Sequence, residues 1–312
     1  CARRIRHNAD DFDLSSWRIA GAGAETIRPD SLNRFADALA PAKFDRRAFV
    51  ACYGMAECSL AISFAPLDIG LEVDHIDPEV LADDQLATSV AANDDPRGQF
   101  VDCGEVLPEY DFEVRDRETG RVLGDREIGA IFLRGPSVMS GYFQRAEETA
   151  RVLDNNGWLN TGDLGYRLGR RIIITGRAKD LIIVNGRNIW PQDLEWLAES
   201  QPELRPGDAL AFAAPSTTGQ DAAVLVIQCR VRDQGQREEL IKRLEGLVRR
   251  EFSVECLVEA VEPHTLPRTS SGKLSRAGAR RDYIERLADR ARARGDASKS
   301  GAAAKSSERQ AG

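Results

Sequence analysis

The chain has 312 residues, 42% of them apolar and 30% charged, enough for a large core and a second, smaller domain. Lys and Arg total 43 against 50 Asp and Glu, a net charge of −7 that argues against a dedicated nucleic-acid binder. No apolar run approaches the roughly 20 residues of a transmembrane segment, and none opens the chain as a signal peptide would. The six cysteines are scattered without a C-x-x-C pair and only three histidines accompany them, so reduced thiols in a cytoplasmic protein are expected rather than a metal site.

The opening stretch, CARRIRHNADDFDLSSWRIAGAGAE, reads as the interior of a domain, which predicts an N-terminal portion upstream of Cys1. From Pro29 to Ala40, Leu32, Phe35, Ala36 and Leu39 recur at helical spacing and predict an amphipathic helix. AFVACYG follows as a short apolar strand running into a glycine turn. Residues 66–100 are acidic and poorly periodic, and read as an insertion or long loop. DFEVRD and RVL flank an ETG turn, a hairpin signal, and IGAIFLRG predicts another strand. IIIT (172–175) and LIIV (181–184) are β-branched runs separated by GRAKD, with Gly176 interrupting them. Pro191 stands where a helix can begin, with Leu194 and Leu197 on one face. AFAA and VLVIQC predict strands, and Leu240, Ile241, Leu244, Leu247 and Val248 mark a second amphipathic helix over 236–252. Beyond Asp289 large apolar residues disappear, predicting a disordered basic tail over 289–312. The alternation of helices and strands in both halves predicts an α/β fold, α+β in parts.

Four polar or glycine-rich stretches lie beside predicted strands: Tyr53-Gly54-Met55-Ala56-Glu57, Thr161-Gly162-Asp163, GRAKDLIIVNGRNIWPQDLE (176–195) and PRTSSGKL (267–274). Each alone is ordinary. A Tyr-Gly pair is usually a turn, a T-G-D a loop with a helix cap, and a lysine in a Ser/Gly loop a solvated side chain. SSGK looks like the end of a P-loop, but that motif needs glycine where this chain has Pro267, so the P-loop reading fails.

Together and in this order, the four stretches resemble the adenylate-forming superfamily of acyl-CoA synthetases, luciferases and peptide-synthetase adenylation domains. The resemblance runs from about Ser15 to Tyr283. DLSSWRIAGAGAE, the form YGMAE and GRNIWPQDLE are most similar to fatty-acyl-AMP ligases. What the resemblance implies is the adenylate-forming enzyme fold: the C-terminal part of a large AMP-binding domain over 1–176, a small mobile lid domain over 177–288, then the tail. It implies ATP-dependent activation of a fatty acid to acyl-AMP, with ATP and Mg²⁺ as cofactors. The acyl group then passes to the phosphopantetheine thiol of an acyl carrier protein.

The same resemblance distributes roles. Lys273 supplies the catalytic cation where one anion attacks another. Gly23, Ala24 and Glu25 line one side of the adenine and Tyr53 the other, with Gly54 allowing close backbone approach. Asp163 takes the ribose hydroxyls and Arg177 joins it at the ribose and phosphate end. Glu57 helps hold Mg²⁺. Lys179 is the hinge, and Gly186 lines the thiol's approach. The chain departs from the family in having Thr26 where proline is usual, and in lacking any S-G-T-T-G-x-P-K phosphate loop, which is expected upstream of Cys1. An acyl-CoA synthetase is the alternative, and a catalytically dead interaction module a third reading. The long stretch between Glu57 and Gly104 favours the fatty-acyl-AMP ligase, as does a basic tail suited to an acidic carrier.

Overall fold

Strand β1 (Ala20–Ala22) is followed by helix α1 (Pro29–Leu39), whose proline presets the first turn. The helix buries Ala36 and Leu39, and Phe35 packs edge-on or tilted against Trp17, Phe44 and Phe49 at 5.6–6.4 Å between ring centroids. Such aromatic pairs contribute about 0.5–1.5 kcal/mol each beyond their area, and they fix α1 over strand β2 (Phe49–Gly54). The computed structural model describes residues 5, 8–93, 95–215, 221–290 and 292. They fall into two compact units, Cys1–Lys179 and Asp180–Gly312.

In the first unit β2 leads to β3 (Ala61–Phe64), β4 (Val73–His75), helix α2 (Pro78–Asp84), β5 (Gln99–Val106), β6 (Asp111–Arg115), β7 (Gly129–Arg134), helix α3 (Ala146–Val152), β8 (Leu159–Leu168) and β9 (Arg171–Arg177). Nine strands form one sheet in the order β1-β2-β3-β5-β9-β8-β7-β6, with β4 alongside β5. β1 and β2 run parallel, and the remaining pairs are antiparallel. Ile62, Val114, Ile131, Leu133 and Ile172 are fully buried in the sheet's main core.

Three details depart from the sequence expectations. The 66–100 segment is built rather than loose: it carries β4 and α2, and it buries Ile76, Leu81 and Ala87. Its order comes from capping and pairing that a periodicity search does not register. Asp77 caps α2 by accepting from the Glu79 and Val80 amides, and Ile76 bridges Ser89. The expected DFEVRD–RVL hairpin forms but stays short: Arg115 bridges Val122, the Leu123 amide donates to the Val114 carbonyl and the Asp116 amide to the Arg121 carbonyl, while the longer pairing of β6 is with β7. Gly176 does not end the strand: it lies inside β9 opposite Leu164, beside a register shift in the β8–β9 ladder, and the strand runs on to Arg177.

The second unit opens with the hairpin β10 (Ile182–Val184) and β11 (Arg187–Ile189), followed by helix α4 (Pro191–Glu199). Strands β12 (Ala209–Pro215), β13 (Asp221–Gln228) and β14 (Cys256–Val261) form a three-stranded sheet, with helix α5 (Gln234–Phe252) between the last two. A last helix runs through 276–290. Alternation along the strands gives the sheet two buried faces. Ala209, Ala211, Leu225 and Ile227 pack with Leu194 and Ala198 of α4 and with Leu240, Leu244 and Val248 of α5. Leu210, Phe212, Val224 and Val226 pack with Ala279 and Tyr283 of the last helix. Burial on both faces explains why these strands read as unbroken apolar runs. Asp289 and Arg290, assigned to the tail by sequence, still belong to this helix; apart from Arg292, the rest of the 289–312 reading lies outside the described residues.

Candidate functional site

Tyr53 stands near the end of β2 and Asp163 near the middle of β8, and the fold brings them together across 110 residues of chain. The Tyr53 hydroxyl donates to Asp163 Oδ2 at 2.6 Å, and Arg177 Nε lies 3.2 Å from Asp163 Oδ1. Asp163 and Arg177 are direct partners across the β8–β9 ladder. Thr161-Gly162-Asp163 is therefore strand rather than capped loop. Gly162 takes a φ of +73° there, the Thr161 hydroxyl donates to the Ile131 carbonyl, and the Asp163 amide donates back to Thr161.

Asp163 is 6% exposed. Burial is the largest influence on its carboxyl and pushes its pKa up, against the opposing pull of Tyr53 and Arg177. Burial also pushes the Tyr53 phenol up, with the Asp163 charge adding to it. Arg177, whose side chain is 56% exposed, meets solvent at the rim, so its attraction is screened. A carboxylate offers about four acceptor positions. One oxygen here accepts from a fixed hydroxyl and the other faces an exposed cation, an arrangement able to take further hydroxyl donors at the rim.

The neighbouring candidates group around the same strand ends. Gly23, Ala24 and Glu25 form the turn after β1, parallel to β2, and carboxyl ends of parallel strands are where α/β folds bind ligands. Gly23 is pressed against β2: a Cβ would meet the Cys52 carbonyl at 2.5 Å. Gly54 sits at a register shift between β2 and β3, and a Cβ there would lie 1.8 Å from the Leu60 carbonyl. The close approach that requires this glycine is thus to the chain's own backbone. Glu57 follows in the short helical turn Ala56–Cys58 and accepts a 2.7 Å hydrogen bond from the Tyr142 hydroxyl. That bond raises the Tyr142 phenol to about 12.

Among the described residues no group of three or more His, Cys, Asp or Glu gathers to hold a metal. A single carboxylate such as Glu57 fits Mg²⁺ all the same, because that ion is usually held by one or two carboxylates plus substrate phosphates and water.

Lys179 closes the first unit. The other two candidates sit on turns of the second unit. Asn185 and Gly186, with φ of +52° and +81°, make the two-residue connection between Val184 and Arg187. Asn-Gly between two apolar runs is a hairpin signal that the sequence contained. Lys273 is exposed on a tight loop in which the Thr269 amide donates to the Lys273 carbonyl at 2.7 Å and Arg268 bridges Leu274. Sequence reasoning missed Tyr142 and also Arg276, which is described below; neither carries a local signal, since each acts through a partner far along the chain.

Residues 2–143 match the AMP-binding enzyme family, and the fold is that of the adenylate-forming enzymes. The chain is 48% identical to a Caulobacter vibrioides protein provisionally named an acyl-CoA synthetase, over 91% of this chain and 50% of that protein. It is 31% identical to the medium-chain fatty-acid–[acyl-carrier-protein] ligase JamA of Moorena producens, over 98% of this chain and 54% of that protein. A fatty acyl-adenylate ligase, solved in work on the E. coli and L. pneumophila enzymes, superposes with a TM-score of 0.82 at 41% identity, over 93% of this chain and 51% of the other. The chain spans about half the length of the curated relatives it matches. No helix among the described residues is long and apolar enough to cross a membrane.

Proposed function

We propose that the protein activates a fatty acid with ATP and passes the acyl group to the phosphopantetheine thiol of an acyl carrier protein, as part of a full-length fatty-acyl-AMP ligase. The observation that carries the reading is the buried Tyr53–Asp163 pair beside the carboxyl end of β2, with the exposed Arg177 facing Asp163 from the rim. Asp163 accepts the ribose hydroxyls, Tyr53 and the Gly23–Glu25 turn flank the adenine, and Arg177 meets the phosphate end. The fatty-acid carboxylate attacks the α-phosphorus, and the bond to the β-phosphate oxygen breaks, releasing pyrophosphate. Lys273 offsets the charge of two anions forced together. Glu57 would hold Mg²⁺, which would supply charge neutralisation at the phosphates. In the second step the thiol sulfur attacks the acyl carbon, AMP leaves and the thiol proton passes to solvent, with the second unit turned about Lys179 to bring Gly186 to the thiol. Cys52, Cys58, Cys103, Cys229 and Cys256 are free thiols, which suits the cytoplasm.

The 48%-identical relative's name favours a second reading, delivery to coenzyme A. One experiment separates the two. The full-length enzyme, given a fatty acid, ATP, Mg²⁺ and free coenzyme A, is expected to accumulate acyl-AMP until holo carrier protein is added, when the pool becomes a protein-bound thioester. Acyl-CoA formation as fast as adenylation would replace the first reading with the second.

A further inference from the structure

Arg276 is the first residue of the helix 276–290 and follows Lys273 by three positions. Its guanidinium forks onto Glu195 of α4, Nε to Oε1 at 2.8 Å and Nη2 to Oε2 at 2.6 Å. Its remaining arm, Nη1, donates to Asp180 Oδ2 at 3.2 Å. Glu195 also accepts the Ala211 amide of β12 at 3.0 Å, so the fork is seated on the unit's sheet. The side chains of Arg276, Asp180 and Glu195 are 27%, 19% and 10% exposed, sheltered enough for bidentate charge-assisted bonds to hold one geometry.

The Lys273 loop is tied to the same point. The Ser275 amide donates to the Pro267 carbonyl, and the Ser275 hydroxyl accepts the Gly278 amide. Asp180 is the first residue of the second unit and adjoins Lys179. The Arg276 bond tethers Asp180 to the unit two residues ahead of Ile182, where β10 begins pairing. With it, the rigid body begins at Asp180.

We propose that Arg276 is a positioning residue that confines the pivot to Lys179 by clamping Asp180 to the body carrying Lys273, so that any rotation at Lys179 moves the lysine as one piece. The inference rests on the roles given above to Lys273 and Lys179. A loosened pivot spreads the positions Lys273 visits, and catalytic groups displaced by about 1 Å can lose up to a hundredfold in rate.

The test is a double-mutant cycle in the full-length enzyme. Asp180→Asn is expected to slow acyl-AMP formation about tenfold when Lys273 is present. In a Lys273→Ala background it should slow it less than about twofold, because the group it positions is gone. An equal fall in both backgrounds, or no fall with Lys273 present, overturns the inference. Arg276→Lys, which keeps a cation beside Glu195 but loses the fork, is expected to give the same pattern and replaces Asp180→Asn if that variant does not fold. If Lys273→Ala alone leaves adenylation unchanged, the role of Lys273 fails as well, and that failure is read from the single variant.

Discussion

The two units hold their candidate residues in opposite ways. In the first, Tyr53 and Asp163 are buried side chains on two strands of one sheet, β2 and β8, bonded to each other and backed by a fully buried core. In the second, Gly186 and Lys273 stand on solvent-facing turns held by backbone hydrogen bonds. The contrast teaches how the labour is divided. On the proposed function, a group that grips the same nucleotide through both half-reactions is preorganised once, with its cost absorbed by the sheet. Groups needed in only one half-reaction belong on projections that a rotation can deliver and withdraw.

The comparison breaks most sharply at Lys273. Lys273→Ala is expected to cut acyl-AMP formation by about 10²–10³ while leaving thioester formation from supplied acyl-AMP intact, the size typical of losing one electrostatic donor; equal losses in the two half-reactions would make it an ordinary binding residue. Next comes Gly54→Ala. With the Leu60 carbonyl 1.8 Å from the new Cβ, β2 must move away from β3, and denaturant unfolding should show a loss of about 3 kcal/mol. Unchanged stability would mean that the β2–β3 edge is far softer than the buried cluster requires.

Asp163→Asn is subtler. The native carboxyl has a raised pKa because it is buried. Its contribution to stability is therefore complete below the ordinary aspartate value and disappears as pH rises through the native one. Asparagine should remove that acid-side slope from the pH–stability curve without weakening the fold at neutral pH, while nucleotide affinity falls about 10–100-fold through the lost charge on the acceptor. A weaker fold at neutral pH would make Asp163 a structural residue. The smallest effect is expected at Gly186. A Cβ there meets nothing within 4 Å, so Gly186→Ala costs only the left-handed backbone penalty, about 1–2 kcal/mol in the second unit's unfolding. A larger loss would show the turn to be packed rather than projecting.

What the sequence made legible follows from range. Helices α1 and α5 declared themselves because Leu39, Leu240, Leu244 and Val248 repeat at intervals the helix itself sets. Strands β12 and β13 did so because both faces are buried. Strand β8 stayed hidden: its Gly162 and Gly165 look like loop punctuation, and its partners are chosen by distant strands. The site divides likewise. The individual motifs were visible, but the hydroxyl of Tyr53 on Asp163, the phenol of Tyr142 on Glu57 and the fork of Arg276 are long-range contacts that no local spacing encodes.

The acidic segment after β3 carries one more consequence. Asp74 of β4 accepts from the Tyr166 hydroxyl at 2.7 Å and from Arg126 at 2.9 Å, while Arg126 also holds the Ala87 carbonyl. Exposed loop tips are where proteases ordinarily nick a folded chain, since cleavage requires an extended stretch of slack backbone. Here Asp74 and Ala87 are fastened to one arginine, with Ile76 and Leu81 buried between them. To an endopeptidase, the stretch from Asp74 to Ala87 offers exposed residues on a backbone held taut by these anchors.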